Sequence, residues 1–248
     1  MKPLASPWPS ELLLVRHGES VGNVARNIAL QTGAATIAIG TAESEVPLSP
    51  TGESQCVALG EWLGANAAEP AAVVASPFLR ARATAEIVTR AAHWDDVHIV
   101  TDERLREKEL GLLDRLTSIG IQAQYPQEVS SRARLGKFYY RPPRGESWAD
   151  VVLRLRSALE DIRSNYGGQR VLIVTHQVVI LCLRYIIEQL GEQQLLEIDR
   201  AAEVANCSLT TYRTTTPNGP PSLIRYNFVA PLESAGAPVT SNPDATKF

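Results

Sequence analysis

The chain has 248 residues, of which 44% are hydrophobic, and a formal net charge of −3 at pH 7 with a pI near 5.9. This length and hydrophobic content suffice for one large α/β domain or two smaller domains with a substantial core. The mildly acidic balance argues against nucleic acid or an anionic membrane surface as the main partner, so any positively charged site must be local.

The cysteines and the N-terminus bear on the cellular compartment. Cys56, Cys182 and Cys207 lie far apart without CxxC or Cys/His spacing, so neither a disulfide framework nor a zinc site is predicted. The opening MKPLASPWPSE contains three prolines where a signal peptide needs an apolar core. No apolar run reaches the roughly 18 to 20 residues that span a bilayer. We therefore expect a soluble, cytoplasmic protein.

The first half of the chain alternates strand and helix patterns. Leu12–Val15 predicts a strand buried on both faces, as in a parallel sheet. The small-residue stretch 29–46 predicts an extended loop. Ser49–Pro50 starts a helix, with serine as the N-cap and proline at the first helical position. A second buried strand is expected at 71–75, followed by a helix at about 78–92.

The second half continues this alternation. A third buried strand is predicted at 97–100 and a fourth at 171–174. Helices are expected from about Ser147 to the YGG segment that begins at Tyr166, and over 178–190. Two final strands, joined by a turn-rich segment, are expected in SLTTYR and LIRYNF.

This order of elements predicts a single doubly wound α/β domain, a three-layer αβα sandwich with a mostly parallel sheet. We expect the domain to span residues 1–229. Residues 230–248 contain few large apolar groups, which predicts a flexible tail. The stretch 112–144 is a local basic patch, because its only acidic residues are Asp114 and Glu128. It contains six basic residues: Arg115, Arg132, Arg134, Lys137, Arg141 and Arg144.

Polar residues follow the ends of the four predicted buried strands, where open α/β sheets bind ligands. In chain order they are Arg16 and His17, Ser76 and Arg80, Glu107, and Thr175 and His176. This set suits phosphoryl chemistry. Guanidinium groups match phosphate oxygens, a neutral imidazole can attack phosphorus, and a carboxylic acid can protonate the leaving oxygen.

Six segments carry a resemblance to a known family. They occur in the order VRHGES with Asn23 following, PLSPTGESQ, SPFLRARATAE, LREKELG, GES and VTHQVVI. Together they resemble the histidine phosphatase superfamily, also called the phosphoglycerate mutase-like family, over roughly residues 12–228. A lone RHG would be weak evidence, whereas six segments in the family's order are strong evidence.

The resemblance implies a role for each matched residue. His17 would be the nucleophile that becomes phosphohistidine, and Glu107 the general acid that later activates water. No metal or other cofactor is implied. His17 must attack as the neutral ring, and Gly18 would let a backbone carbonyl accept a hydrogen bond from the other ring nitrogen. The implied ligands of the phosphoryl oxygens are Arg16, Asn23, Arg80, His176 and Gln177.

Competing assignments remain for several of these residues. Arg82 competes with Arg80, although the position after SPFL favours Arg80. Glu103 and Glu109 compete with Glu107, although flanking Leu and Gly residues favour Glu107. The position of Asn23 also fits a helix cap alone. That of His176 also fits a buried core histidine with no ligand.

For the activity, the resemblance implies a phosphomonoester hydrolase acting on a small phosphorylated metabolite, such as a sugar phosphate. Two other functions also fit the motifs. One is a phosphoglycerate mutase-type phosphotransferase, and the other is a non-catalytic phospholigand-binding protein of the family. The mutases have a tryptophan just before the asparagine and a Glu-Arg-His-Tyr acid segment, whereas this chain has Gly22 and EKEL. The segment HQVVILCLRY instead resembles the phosphatase half of the fructose-2,6-bisphosphate enzymes.

Residues 112–144 stand where the family inserts a cap or lid over the site. The excess of basic residues in this stretch, together with Phe138, Tyr139 and Tyr140, predicts substrates that carry a second anionic group or a ring. The expected partner is therefore a small-molecule phosphate ester, with no nucleic acid and no membrane. A homodimer is compatible with the sequence.

Overall fold

The computed structural model describes residues 7–216 and 219–241, in which a six-stranded sheet is covered by helices. The strands are β1 (Glu11–Arg16), β2 (Ala72–Ala75), β3 (Ile99–Thr101), β4 (Arg170–Thr175), β5 (Leu209–Arg213) and β6 (Ser222–Phe228). Their order across the sheet is β3-β2-β4-β1-β5-β6. The first four run parallel, and β5 pairs antiparallel with both β1 and β6.

One to three helices lie between successive strands from β1 to β5, and β5 is followed directly by β6. The helices are α1 (Val21–Thr32), α2 (Pro50–Asn66), α3 (Leu79–Ala91), α4 (Ser118–Gln124), α5 (Pro126–Tyr139), α6 (Trp148–Tyr166), α7 (Gln177–Ile187), α8 (Glu192–Ala201) and α9 (Ala230–Ser234). In the described ranges, none of these helices combines the length and apolar character that crossing a membrane requires.

Two apolar cores lie on opposite faces of the sheet. Alternate residues of a strand point to opposite faces. Leu12 and Leu14 of β1 therefore join a core with α6 and α7, whereas Leu13 and Val15 join a core with α2 and α3. The expected three-layer αβα sandwich is confirmed. Each fully buried aliphatic side chain contributes about 1.5 to 3 kcal/mol, so these cores hold the strand ends in place.

Strand β3 differs from the expectation of full burial. Its residues Ile99–Thr101 are half-buried or exposed, because β3 is the edge strand and pairs only with β2. The strand also begins two residues later than the predicted Val97. An apolar run alone does not distinguish a central strand from an edge strand.

The predicted loop at 29–46 is helical in its first part. Helix α1 continues to Thr32, and Gly33 ends it in the left-handed conformation at φ +66° while its N–H donates to carbonyls of the last turn. The remaining residues, 33–46, form a loop that includes a short 3-10 helix at Glu43–Glu45. The cap role considered for Asn23 fits the capping box that Ser20 and Asn23 form at the start of α1, although no helix was predicted there.

Residues 230–241, predicted to begin a flexible tail, pack against the domain. Leu232 of α9 is fully buried in the core beside α2. The Gln55 side chain donates hydrogen bonds to the Pro238 carbonyl and the Thr240 hydroxyl, and the Thr240 carbonyl accepts from the backbone of Asn206. The composition of this segment does not reveal that its single leucine, Leu232, is buried in the core. The remainder of the expected tail, 242–248, lies outside the described residues.

The stretch 112–144 contains α4, α5 and a small core of its own. Leu113, Leu116, Ile121 and Tyr140 form that core. This stretch also pairs with the loop at 33–46, through a bridge between Thr36 and Leu116 and a hydrogen bond from the Ile37 N–H to the Arg115 carbonyl of 2.8 Å. We refer to residues 33–46 and 112–144 together as the outer wall.

Candidate active site

The parallel register of the central strands brings the two motif histidines together. Arg16 at the end of β1 lies opposite Thr175 at the end of β4, and the N–H of His17 donates to the Thr175 carbonyl at 2.9 Å. The N–H of Ser76, after β2, donates to the Val174 carbonyl at 2.9 Å. Residues that follow three different strands therefore meet at one sheet edge, as the sequence predicts.

The His17 ring is held in one tautomer. Its Nδ1 lies 2.7 Å from the Gly18 carbonyl oxygen, which only accepts, so Nδ1 carries the proton. Its Nε2 lies 3.2 Å from Nε of Arg80, which donates to it. Burial and the nearby Arg80 and Arg16 charges hold the pKa of His17 well below its usual value. The ring is therefore neutral, with its lone pair on Nε2, where it accepts from Arg80.

Gly18 permits this arrangement because its position has no room for a side chain. A Cβ atom there would lie 2.7 Å from the Gly52 carbonyl oxygen and 2.9 Å from Sγ of Cys56. The N–H of Gly18 donates to the Thr84 hydroxyl at 3.0 Å, which ties the loop to α3. The carbonyl that accepts from His17 is consequently fixed from two sides.

Arg16 and Arg80 supply permanent positive charge beside His17. Both are 4% exposed. Arg16 donates from Nη1 to the Val204 carbonyl, and burial lowers its pKa to about 10, so the guanidinium remains charged at neutral pH. Arg82 is half-buried and does not line the pocket, whereas Arg80 does. Geometry therefore favours Arg80 over Arg82 as the second arginine.

His176 lies directly behind His17 and is fully buried. The two rings meet edge to face with centroids 5.1 Å apart, and Nε2 of His176 lies 2.7 Å from the Ser76 hydroxyl. Burial lowers the pKa of His176, with Arg80 the next cause. His176 is not among the residues that line the open pocket, whereas its neighbour Gln177 at the start of α7 is. We expected both His176 and Gln177 to bind phosphate, but only Gln177 lines the pocket.

Glu107 lies in the loop after β3 and lines the pocket. Burial raises the pKa of its carboxyl group, which favours the protonated form that a general acid needs. The competing carboxylates are elsewhere. Glu109 is exposed and pairs with Arg106 at 3.0 Å, and Glu103 is exposed and outside the pocket lining.

Asn23 is both a helix cap and a pocket residue. Its N–H donates to the Ser20 hydroxyl at 3.1 Å, and its side-chain oxygen accepts from the Ser20 N–H at 2.9 Å, which forms a capping box at the start of α1. Asn23 nevertheless lines the pocket together with Ser20. The helix cap and the site are thus built from the same residues, and capping does not exclude a ligand role.

Only some basic residues of the 112–144 patch line the pocket. Arg115, Arg132 and Lys137 line the pocket, whereas Arg134 and Arg141 do not. Lys137 also pairs with Asp199 at 2.6 Å, and Arg141 pairs with Asp150 outside the pocket. Of the three aromatic residues, only Tyr140 lines the pocket, because Phe138 is in the core and Tyr139 is exposed.

Sequence reasoning missed several pocket residues. Arg26 lies one helical turn after Asn23 on α1, and its charge contributes to lowering the pKa of His17. The spacing of three residues on a helix was a usable signal for it. Glu43, whose side chain binds Arg80, had no such signal because it lies in the expected loop. Ile39 and Val46 from that loop also line the pocket beside Gly22.

The pocket is large enough for more than a phosphate group. Its cavity volume is about 140 Å³, and its wall mixes basic residues with apolar ones. A Cβ on Gly22 would contact Val46 at 3.2 Å and Ile39 at 3.4 Å. The loop at 33–46 therefore occupies the space beside Asn23 that a larger residue at position 22 would need.

Known proteins resemble this chain over most of its length. A model of the histidine phosphatase superfamily (branch 1) matches residues 12–228. The probable phosphoglycerate mutase GpmB of Photorhabdus laumondii subsp. laumondii is 31% identical over 202 residues, which make up 81% of this chain and 83% of that protein.

Solved structures show the same fold. Bacillus stearothermophilus YhfR superposes with a TM-score of 0.72 at 29% identity, over 90% of this chain and 98% of that one. The mycobacterial glucosyl-3-phosphoglycerate phosphatase, solved in complex with inorganic phosphate, superposes with a TM-score of 0.68 at 24% identity, over 90% of this chain and 99% of that one.

Proposed function

Because the chain belongs to the histidine phosphatase superfamily, we propose that it hydrolyses phosphomonoesters of small metabolites through a phosphohistidine on His17. The observation that carries this proposal is the tautomer of His17. Its Nδ1 proton is held by the Gly18 carbonyl at 2.7 Å, and its Nε2 lone pair faces the buried Arg80 guanidinium. A nucleophilic nitrogen beside a permanent cation is what attack on a phosphate dianion requires.

In the first step, the Nε2 lone pair of His17 attacks phosphorus and the bond from phosphorus to the ester oxygen breaks. Glu107 transfers its proton to that oxygen, so the alcohol leaves neutral. Arg16 and Arg80 neutralise the charge on the equatorial oxygens. The Gly18 carbonyl stabilises the positive charge that develops on the ring, because it accepts from Nδ1 throughout.

In the second step, the Glu107 carboxylate accepts a proton from water while the water oxygen attacks phosphorus. The bond between phosphorus and Nε2 breaks, which releases inorganic phosphate and restores neutral His17. Glu107 regains its proton and is ready for another cycle. Its raised pKa suits this alternation, since the group must both give and take a proton near neutral pH.

A phosphoglycerate mutase is the second candidate, and the name of the GpmB relative favours it. Mutase and phosphatase share the nucleophile and differ in whether water or a second hydroxyl accepts the phosphoryl group. Gly22 and EKEL depart from the mutase pattern, and the open mouth of the pocket gives water a path to His17. We therefore place hydrolysis first.

The test is phosphate release from a generic phosphomonoester in the presence of EDTA. We expect release that vanadate blocks and that His17→Ala abolishes, with His98→Ala, an exposed histidine, as the matched control. Activity that persists in His17→Ala would contradict the phosphohistidine mechanism. An absence of release, combined with retained vanadate binding, would favour a non-catalytic phospholigand-binding protein.

Mutase activity is measured separately, as exchange between the phosphoglycerates that depends on 2,3-bisphosphoglycerate. Exchange faster than phosphate release would place the mutase first. A broad screen of phosphorylated metabolites then identifies the preferred alcohol.

We further propose that the basic residues of the outer wall that line the pocket select a substrate with a second anionic group or a ring. Arg132→Ala and Lys137→Ala should lower discrimination among the screened esters. Arg134→Ala and Arg141→Ala remove the same charge outside the pocket and serve as controls. Equal effects of the two pairs would attribute the selectivity to net charge alone and would contradict a role for the pocket wall.

A further inference from the structure

Arg80 is bound on two sides by one residue of the outer wall. Its Nη1 donates to the Glu43 carbonyl at 2.8 Å, and its Nη2 donates to Oε1 of the Glu43 side chain at 2.8 Å. Its Nε donates to Nε2 of His17 at 3.2 Å. Every nitrogen of the guanidinium therefore has an acceptor, and two of the three are bound by Glu43.

The Glu43 carboxylate reaches Arg80 from the mouth of the pocket. The Arg80 side chain is 5% exposed, whereas the Glu43 side chain is 41% exposed, and both residues line the same cavity. A negative charge thus lies over the buried cation beside the nucleophile. A phosphoryl group that reaches His17 competes with this carboxylate for the charge of Arg80, because guanidinium groups pair with carboxylate and with phosphate oxygens in the same way.

The loop that carries Glu43 is attached to the rest of the outer wall. Nη1 of Arg115 donates to the Ile39 carbonyl at 3.0 Å, and its Nη2 donates to the Thr41 carbonyl. On the other side of Glu43, the Pro47 carbonyl accepts from the Val21 N–H at 3.0 Å. The backbone is thus held on both sides of the 3-10 helix, and a side-chain movement of Glu43 frees Nη2 of Arg80 while Nη1 stays on the Glu43 carbonyl.

We propose that Glu43 is an internal anion that competes with every phosphoryl ligand for Arg80. This inference rests on the proposed function, in which Arg80 binds phosphate. Each ligand displaces the Glu43 carboxylate from Nη2 of Arg80, so the loss of this pair weakens the binding of esters and of free phosphate alike. A phosphate ester with a larger alcohol gains further contacts with the pocket wall, which offset that loss, whereas inorganic phosphate gains none. The site therefore releases its inorganic phosphate product readily.

The experiment measures binding of inorganic phosphate and of vanadate to the full chain, by calorimetry and by tryptophan fluorescence, since Trp148 lines the pocket. Glu43→Ala removes the competing carboxylate and Glu43→Gln removes its charge. Glu45→Gln is the matched control, because Glu45 is exposed in the same 3-10 helix and does not line the pocket.

We expect Glu43→Ala to bind phosphate about tenfold more tightly than the unaltered chain, the size of one hydrogen-bonded ion pair. Glu43→Gln should lie between the two, and Glu45→Gln should stay within about twofold. The affinity for an ester should rise by a similar factor, because both ligands displace the same carboxylate. Unchanged or weaker phosphate binding in both Glu43 variants, with melting temperatures unaltered, would overturn the inference.

The two proposals fail separately. Tighter phosphate binding in Glu43→Ala without turnover of any ester would support the role of Glu43 and contradict the hydrolase. Turnover that depends on His17, with phosphate binding unaffected by either Glu43 variant, would support the hydrolase and contradict the role of Glu43. If no form of the chain binds phosphate or vanadate, both are wrong.

Discussion

The sheet edge around His17 and the outer wall above it are held by different interactions. His17 and Ser76 at the sheet edge are fixed by backbone hydrogen bonds between strand ends, such as the His17 N–H to the Thr175 carbonyl. The outer wall has a small apolar core of its own, and its loop at 33–46 is held there by the Thr36–Leu116 bridge and by Arg115 on the Ile39 and Thr41 carbonyls. The proposed nucleophile therefore stands on the central sheet, whereas the residues that we propose select the ligand stand on a separate substructure.

The largest effect in this comparison is expected for Glu107→Gln, which removes the proton donor and leaves the size of the side chain. We expect kcat to fall about 10²- to 10⁴-fold for an alkyl phosphate. The loss should be smaller for p-nitrophenyl phosphate, whose leaving group needs less protonation. Glu109→Gln, at an exposed carboxylate of the same loop, is the control. Similar losses for both esters would contradict the general-acid role.

The pH profile sharpens the same prediction. The raised pKa of Glu107 keeps its proton to higher pH, so activity should decline on the alkaline side as this proton is lost. The lowered pKa of His17 keeps the nucleophile neutral on the acid side, so activity should persist well below pH 6.5, the usual histidine value. The alkaline decline should disappear in Glu107→Gln.

Gly18→Ala adds one methyl group at the sheet edge, and Gly40→Ala adds the same group in the outer wall. The new Cβ would lie 2.7 Å from the Gly52 carbonyl oxygen, so we expect the free energy of unfolding to fall by about 1 to 3 kcal/mol, with loss of activity. Gly40→Ala is the matched control in the outer wall, where nothing lies within 4 Å of the new atom. Its unfolding midpoint in urea should change little, and an equal loss at both positions would contradict the contrast.

Acid should destabilise the sheet edge through its two buried histidines. His17 and His176 have lowered pKa values in the folded chain, whereas the unfolded chain binds their protons near pH 6.5. The unfolded state therefore binds more protons below that pH, and the free energy of unfolding should fall by up to about 1.4 kcal/mol per pH unit and histidine. Their contribution is complete above pH 6.5 and is lost as the pH falls.

Urea unfolding at several pH values measures this dependence. The slope below pH 6.5 should be shallower in His176→Gln than in the unaltered chain. The exposed His98→Gln provides the control for removal of a histidine. An unchanged slope in His176→Gln would show that this ring is not the group that takes up the proton on unfolding.

The smallest effect is expected for Arg115→Ala, which detaches the loop at 33–46 from its side-chain anchor. We expect KM to rise about three- to tenfold with little change in kcat or melting temperature, because hydrogen bonds at a half-exposed surface and one pocket-lining charge are lost. Arg134→Ala, exposed and outside the pocket, is the control. A large loss of kcat would show that the outer wall contributes to the chemical step.

The sequence supported predictions best where local pattern and structure coincide. The apolar runs at β1 and β4 predicted the strands that place His17 and His176 together, and Ser49–Pro50 predicted the start of α2. It supported them less well at β3, where an edge position leaves the strand half-exposed, and at 230–241, where the buried Leu232 anchors a segment of otherwise small residues.

The order of buried strands and the polar residues that end them determined, from the sequence alone, the fold and the chemical inventory of the site. The burial of these strands requires long apolar runs, and such runs are visible in one dimension. Only the tertiary structure showed that His176 lies edge to face with the His17 ring and outside the pocket lining, and that Glu43, 37 positions from Arg80, binds its guanidinium. The local sequence pattern carries no information on such distant pairs. Which residues form the outer wall, and that Glu43 binds Arg80, therefore follow from tertiary packing.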